Sequence, residues 1–344
     1  MKDSDTSGSR RTDQGVRMAD IARRVGVSRA AVSFVLNDRP DARISDETRE
    51  RILQAASELG YRPNAGARAL AARRSGLLGM VTEIVTSSFG PGAVRGAQDR
   101  AWGAGMFLMI AASEGRQELE VAAVERLLEQ RVEGLIFASG PHEAVTVPPA
   151  AAEVPTVLLH CFDPDGALPA VIPDEQGGGY AATRRLLSAG HRRIGLVNVE
   201  AHSVAARGRL AGYTRALAEQ GIAPDPELIT HSPADSIGGW SAAVRLLDLP
   251  RPPTALFCCT DRMAMGAYDA IKERGLRIPD DVAVVGFDDQ VIISAYLRPP
   301  LTTVALPFEE MGARAVEVLL ARLAGQDVPD VTVVDCPLVE RASV

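Results

Sequence analysis

Arg17 to Asn37 reads RMADIARRVGVSRAAVSFVLN, and this stretch decides the fold of the first part of the chain. Met18, Ile21, Ala22 and Val25 recur at helical spacing. Gly26 interrupts them, and only glycine enters a left-handed turn without steric cost. Ser28 is placed to cap a second helix by accepting a hydrogen bond from an orphan amide. Val32, Val35 and Leu36 would turn that helix's apolar face inward, and Ala22 is small where the two helices must approach. The opposite face carries Arg29, Ala30, Ser33, Phe34 and Asn37. Such a layout belongs to a helix-turn-helix whose second helix lies in the major groove of DNA. A helical hairpin in an ordinary core has the same local pattern.

The next residues narrow that choice. Arg43 to Tyr61 reads as a third helix, with Ser45 as its cap and Asp46 and Glu47 in its first turn, where acids complement the helix dipole. Ile52, Leu53, Ala56 and Leu59 are expected to line one face, and Gly60 to end it. The net charge of −7 divides unevenly: residues 1–76 carry 15 Lys and Arg against 10 Asp and Glu, or +5, and the remainder carries −12. A basic small domain beside an acidic large one points to a polyanion partner for the small one, although a chance excess of Arg gives the same sign. The first 15 residues are polar, lack the apolar core of a secretory signal, and read as a disordered tail. No apolar run reaches the ~18 residues of a membrane helix. Cys161, Cys258, Cys259 and Cys336 have no zinc or disulfide spacing; Cys258 and Cys259 read as buried strand, which suits a reducing cytoplasm.

After Tyr61-Arg62-Pro63-Asn64 comes a short Ala/Arg-rich run to Gly76 with one large apolar residue, Leu70. A helix so short is marginal alone, and Gly66 weakens it by about 1 kcal/mol against Ala. It reads as a hinge that orders when held, or as a plain linker. From Leu77 the texture changes to apolar strands alternating with helices: LLGMVTEIV, MFLMIAAS, GLIFAS, TVLLHCF, AVIPD, RIGLVNV, LIT, ALFCCT and AVVGFDD. The helices fall near 92–104, 118–131, 178–189, 209–220, 240–247 and 263–275. Near-continuous apolar strands with helical connections signal parallel sheets covered on both faces. The units are too many for one small sheet and divide near residue 175 into two doubly wound halves. Ligands of such folds bind outside the carboxyl ends of the strands.

Several segments, in order, resemble the LacI/GalR family of bacterial transcription repressors over residues 16 to about 341: DIARRVGVSRAAVSFVLN, YRPNAGARAL, GHRRIGLV, AARGRLAGY, TDRMAMGAYDAIKERGLRIPDDVAVVGFDD and PPLTTV. The resemblance implies an α-helical DNA-binding headpiece over 16–62, a hinge over 63–76, and a periplasmic-binding-protein-like, dimerising core over 77–344. Crossovers between the core's subdomains are expected near 174, 303 and 328, the last returning the final strand to the second subdomain. It also implies a DNA-contacting set. Arg29 and Ala30 read base edges, since Arg forks onto guanine and Ala touches only a thymine methyl. Phe34 stands at a third reading position that is often Arg. Ser28, Ser33 and Asn37 match phosphate contacts, Arg17, Met18 and Asn64 approach the DNA, and Leu70 matches a leucine that wedges into the minor groove.

In the core the resemblance makes Arg209 the effector-gripping arginine, able to fork onto paired hydroxyls or a carboxylate. Asp288 matches an acceptor of ligand hydroxyls; a surface salt bridge and a turn-stabilising Asp are the alternatives for these two. Phe89 matches a cleft-wall aromatic and His160 a ligand-facing strand end, with interior packing as the alternative for each. Thr260 stands where Asn is common, and Ala234 where some members present an aromatic platform. The expectation is a cytoplasmic repressor that binds a pseudo-palindromic operator as a homodimer, under the control of a sugar or sugar derivative held between the subdomains. It has no cofactor, metal or membrane partner. Only Ala342-Ser343-Val344 follow Arg341, so a dimer without a C-terminal coiled coil is expected. A transporter's solute-binding protein would fit the core but needs an export signal. An enzyme would need a phosphate loop, a metal motif or a nucleophile elbow, and GPGAVRG at 90–96 lacks the lysine of such a loop.

Overall fold

The computed structural model describes residues 16–37, 43–61, 74–83 and 89–344. The expected tail, Asn64, Leu70 and most of the hinge lie outside them. The chain forms two compact units, residues 1–75 and 76–344.

The first unit holds α1 (Met18–Val25), α2 (Arg29–Leu36) and α3 (Asp46–Glu58). The backbone N–H of Arg17 donates to the Asp20 carboxylate at 2.9 Å, which anchors the start of α1. Gly26 ends it at φ 76°. Ser28 Oγ accepts from the Ala31 amide at 3.1 Å, and Ser45 Oγ from the Thr48 amide at 3.3 Å, so both expected caps form. Ile21, Ala22, Val25, Val32, Val35, Ile52, Ala55 and Ala56 make the core. Leu53 is not part of it and is 48% exposed. At 100° per residue it falls off the stripe that Ile52, Ala55, Ala56 and the partly buried Leu59 define.

The second unit contains two parallel-stranded subdomains. The first sheet holds β1 (Leu77–Thr82), β2 (Phe107–Ala112), β3 (Gly134–Ala144), β4 (Thr156–Phe162), β5 (Ala170–Pro173) and β11 (Val331–Val334) in the order β2-β1-β3-β4-β5-β11. The second holds β6 (Ile194–Asn198), β7 (Ile229–His231), β8 (Ala255–Cys258), β9 (Ala283–Asp288), β10 (Thr302–Ala305) and β12 (Leu338–Val339) in the order β7-β6-β8-β9-β10-β12. Among the described residues only β12 pairs antiparallel, on β10. The helices are α4 (Gly90–Gly103), α5 (Gln117–Glu129), α6 (Glu175–Ser188), α7 (Val204–Ala218), α8 (Ser236–Leu247), α9 (Asp261–Glu273), the short α10 (Val291–Ser294) and α11 (Phe308–Leu323). Alternating side chains of the first sheet feed opposite faces. Leu78 and Met80 pack with α4 and α11, while Val81, Leu135 and Leu158 pack with α5.

The chain passes from the first sheet to the second between β5 and α6, and returns between β10 and α11. The third passage lies between Val334 and Leu338, later than the expected 328. The β-branched run Val331–Val334 first pairs in parallel with β5, covering what would otherwise be an open edge, and Val334 then accepts from the Asp174 amide at 2.8 Å. Past β12, Ser343 is fully buried: its hydroxyl donates to the Val284 carbonyl and accepts from the Thr302 amide.

Candidate functional sites

The outward face of the headpiece is set by the inward one. Val32 and Val35 are buried, so Arg29, Ala30, Phe34 and Asn37 emerge exposed and Ser33 half-buried. Arg17 is exposed and Met18 partly buried at the start of α1. Ser28 faces solvent but its hydroxyl serves the α2 cap. Asn37 folds back on its own helix: its amide donates to the Ser33 carbonyl at 2.8 Å and to the Ser33 hydroxyl at 3.2 Å. Phe34, 42% exposed, is a large apolar side chain on a surface otherwise made of Arg29, Ala30 and small polar groups.

In the core, the carboxyl ends of both sheets and the first turn of α6 bring polar side chains together in the interior. The first turn forms because Asp174 Oδ1 caps it, accepting from the Gly177 amide at 2.7 Å. Gly179 lets α6 and α7 touch backbone to backbone; a Cβ there would sit 2.5 Å from the Arg209 carbonyl. That approach places Glu175 against Arg209. Arg209 Nε donates to Glu175 Oε2 at 2.7 Å, Nη1 donates to the Cys259 carbonyl, and the guanidinium lies 3.8 Å from the centre of the Phe287 ring. Both ionic groups are about 95% buried. Burial alone would raise the Glu175 pKa, but the charge of Arg209 outweighs it and holds the carboxyl at about 2.

On the first-sheet side stand His142 and His160, with ring centres 5.5 Å apart. Burial pushes His160 down to about 4, so it is neutral at pH 7. Its Nδ1 lies 3.3 Å from the Ser139 carbonyl, which only accepts, so Nδ1 carries the proton and Nε2 is left as an acceptor. Nε2 is buried without a partner. His142 Nδ1 and Glu175 Oε1 are 3.5 Å apart and make no hydrogen bond with each other. Phe89 stacks on Phe308 at 4.9 Å, and Phe308 meets the edge of His160 at 4.8 Å, giving the chamber an aromatic wall.

The second-sheet side is acidic. Asp288, at the end of β9, receives a hydrogen bond from the Gln290 side chain at 3.0 Å. Asp261 accepts from the Gln290 amide at 2.7 Å and from the Thr303 hydroxyl at 2.6 Å. Both carboxyls are raised, Asp288 by burial and Asp261 by burial and then by the charge of Asp288. Two non-glycine residues of the chamber, His160 at φ 59° and Asp288 at φ 114°, hold left-handed backbone, a strain that clusters at functional sites. Thr260 is nearby in sequence, but its hydroxyl caps α9, accepting from the Met263 amide at 3.0 Å.

Of the expected core residues, Phe89, His160 and Arg209 are thus linked through direct neighbours, and Asp288 acts on Arg209 through its charge. The linking residues His142, Glu175 and Phe308 were not anticipated. Glu175 had a sequence signal: Asp174 followed by an acid, one turn before an apolar stripe, is a helix start. The glycines at 177–179 mask it, because glycine is a poor helix former.

Residues 17–64 match the model of the lacI family of bacterial regulatory proteins, and residues 183–344 match a periplasmic binding protein-like domain. The ribose operon repressor of Haemophilus influenzae is 35% identical over 306 residues, covering 89% of this chain and 91% of that one. The transcriptional regulator GalR of Escherichia coli is 36% identical over 328 residues, 94% of each chain. A crystal structure of the lac repressor dimer bound to operator and the anti-inducer ONPF superposes with a TM-score of 0.80 at 31% identity, covering 96% of this chain and 99% of that one. These relatives are transcriptional regulators and not enzymes. The chain belongs to the LacI family of bacterial regulatory proteins and is a DNA-binding transcriptional regulator.

Proposed function

We propose that the chain is a cytoplasmic, homodimeric repressor whose operator affinity is set by a neutral polyhydroxyl effector, a sugar or sugar derivative, held between the core subdomains. One observation carries the choice of effector. The buried guanidinium of Arg209 is already matched by Glu175, and His160 Nε2 and Glu175 Oε1 are buried acceptors without a partner, beside His142 Nδ1 and the Asp288 carboxyl. Such a chamber needs hydroxyl donors. A phosphate or carboxylate would meet the buried Glu175 carboxylate, and the guanidinium of Arg209 beside it is already neutralised. Phe89 and Phe308 supply an apolar wall for a sugar face, and Arg209, Asp288 and His160 are the polar contacts, with Thr260 at the margin.

On the headpiece, Arg29 and Ala30 read bases, with Arg17, Met18, Ser28, Ser33 and Asn37 at the backbone and Asn64 and Leu70 beyond. A pseudo-palindromic operator requires two headpieces, which a two-fold dimer supplies. Exposed apolar side chains support a dimer face on each subdomain: Trp102, Phe107 and Ile110 on the first, Ile237, Tyr296 and Ile292 on the second. Trp102 and Phe107 pack edge to face at 4.9 Å beside the edge strand β2. Among the described residues no helix is long and apolar enough to cross a membrane.

The test is operator binding by the full chain, on duplexes selected from a randomised pool, in the presence of neutral pentoses, hexoses and disaccharides and of their phosphates and uronic acids. A neutral sugar should shift operator affinity and Arg209→Ala should abolish the shift. A response confined to the anionic compounds would overturn the proposal.

A further inference from the structure

Asp288 ends β9 and Asp261 opens α9, and both carboxyls are buried. Gly286, two residues before Asp288, makes room for the second acid: a Cβ there would lie 2.4 Å from Asp261 Oδ1. One residue serves both acids. The Gln290 side chain donates to Asp288 Oδ2 at 3.0 Å, and its backbone amide donates to Asp261 Oδ2 at 2.7 Å. The Thr303 hydroxyl meets the other Asp261 oxygen at 2.6 Å, so protein groups engage both oxygens of that acid. Gln290 is itself buried, and its carbonyl receives the Ile293 and Ser294 amides that start α10. The turn needs such holding, because Asp288 at φ 114° and Asp289 at φ 51° are both left-handed.

Asp288 stands in a crowded field. Burial opposes its charged form, as do Glu175 of α6 and Asp261 of α9; Arg209 of α7 and the exposed Arg262 of α9 favour it. The adjacent Asp289 is paired with Arg341 at 2.7 Å, and burial keeps the Cys259 thiol neutral. A neutral amide donor favours the carboxylate without cancelling its charge, so the group can still accept from a ligand. We infer that Gln290 is a positioning residue of the effector site: its side chain holds the Asp288 carboxylate ready to accept a ligand hydroxyl, while its amide engages Asp261 separately. This rests on the reading that Asp288 meets the effector.

Gln290→Met tests this, because the unbranched side chain keeps the length and the backbone bonds and loses only the donor. The probe is whichever of D-ribose, D-galactose, D-glucose and cellobiose binds the full chain most tightly by calorimetry. Losing a hydrogen bond to a charged group should move the titration of Asp288 up by about one pH unit. Sugar affinity of the variant should then be about tenfold weaker than the parent's at about pH 6, and within about twofold of it at about pH 8.5. The loss of melting temperature, measured without sugar, should run the other way and be largest at about pH 8.5, where the carboxylate lacks its donor. A merely structural role would give the same loss at every pH; that result, or a variant that follows the parent, would overturn the inference. Asp288→Asn tests the premise separately. Should it leave sugar affinity and its pH dependence unchanged, Asp288 does not meet the effector and the premise falls. Should it abolish the pH dependence while Gln290→Met follows the parent, only the role of Gln290 falls. If none of the four sugars binds the parent, the sugar reading fails, and the melting profiles decide whether Gln290 holds the carboxylate.

Discussion

The outward face of α2 and the core chamber are built on opposite principles. On α2, Arg29, Ala30 and Phe34 are exposed, and what they meet lies outside the chain. In the chamber, Arg209, Glu175, His160 and Asp288 are buried, and each is shaped by the others. The helix surface can therefore vary with little effect on folding, whereas the chamber cannot lose a member without leaving a charge or an acceptor stranded.

The largest effect should come from splitting the buried ion pair. Arg209→Ala leaves the Glu175 carboxylate buried beside no cation, and should cost the core about 3–5 kcal/mol in urea unfolding. Arg29→Ala should leave unfolding within about 0.5 kcal/mol of the parent. If the two variants unfold alike, the contrast fails.

Arg29→Ala should act on recognition. One bidentate guanine contact carries about 1–3 kcal/mol of discrimination. Selection from randomised duplexes should lose preference at one base pair per half-site; an unchanged preferred site would remove Arg29 from base reading.

The chamber should also make core stability depend on pH in two windows. Asp261 and Asp288 have raised pKa values, toward about 8 and 7, so the folded state holds protons that the unfolded state has released. That contribution is complete below the ordinary carboxylate range and is lost as pH rises through 7 to 8. Asp288→Asn should flatten the fall in melting temperature between pH 6.5 and about 8. Glu175 is lowered to about 2, so its contribution is present above 4.5 and disappears on acidification toward 2. His160, lowered to about 4, works in the same acid direction, since the unfolded chain takes up its proton between 6.5 and 4. A melting temperature that rises steadily from pH 6.5 to 8 would contradict the buried acid pair.

The smallest effect tests the rotation of α3. Leu53→Ser should change headpiece stability by about 0.5 kcal/mol or less, because the side chain already faces water. Ile52→Ala, one residue away and fully buried, should cost about 2–5 kcal/mol.

Legibility followed the same division. The headpiece is written in local signals: a left-handed glycine at Gly26, caps at Ser28 and Ser45, and a stripe every three or four residues. Leu53 departs from the expected α3 face, because an apolar residue there sits off the stripe and faces water. The two sheets were legible as apolar runs. The return near 328 was not, because Val331–Val334 reads equally well as a strand of either sheet until its partner β5 is known. The chamber was half legible. Arg209 and Asp288 sit in segments with family resemblance and His160 at the end of an apolar strand, but Glu175 lies under a glycine run, and His142 and Phe308 become neighbours of His160 only through tertiary packing. Thr260 starts a helix with its hydroxyl as acceptor and keeps the O–H to donate, a double use that the residue type alone does not reveal.

The most direct test of the whole account is reciprocity. If a sugar bound in the chamber changes operator affinity, operator must change sugar affinity by the same factor. Calorimetry of the full chain with its responding sugar, with and without saturating operator duplex, should give affinities that differ by about 5–150-fold, equal to the shift that the sugar produces in operator binding. Sugar affinity unchanged by operator, alongside a sugar that alters operator binding, would contradict the account.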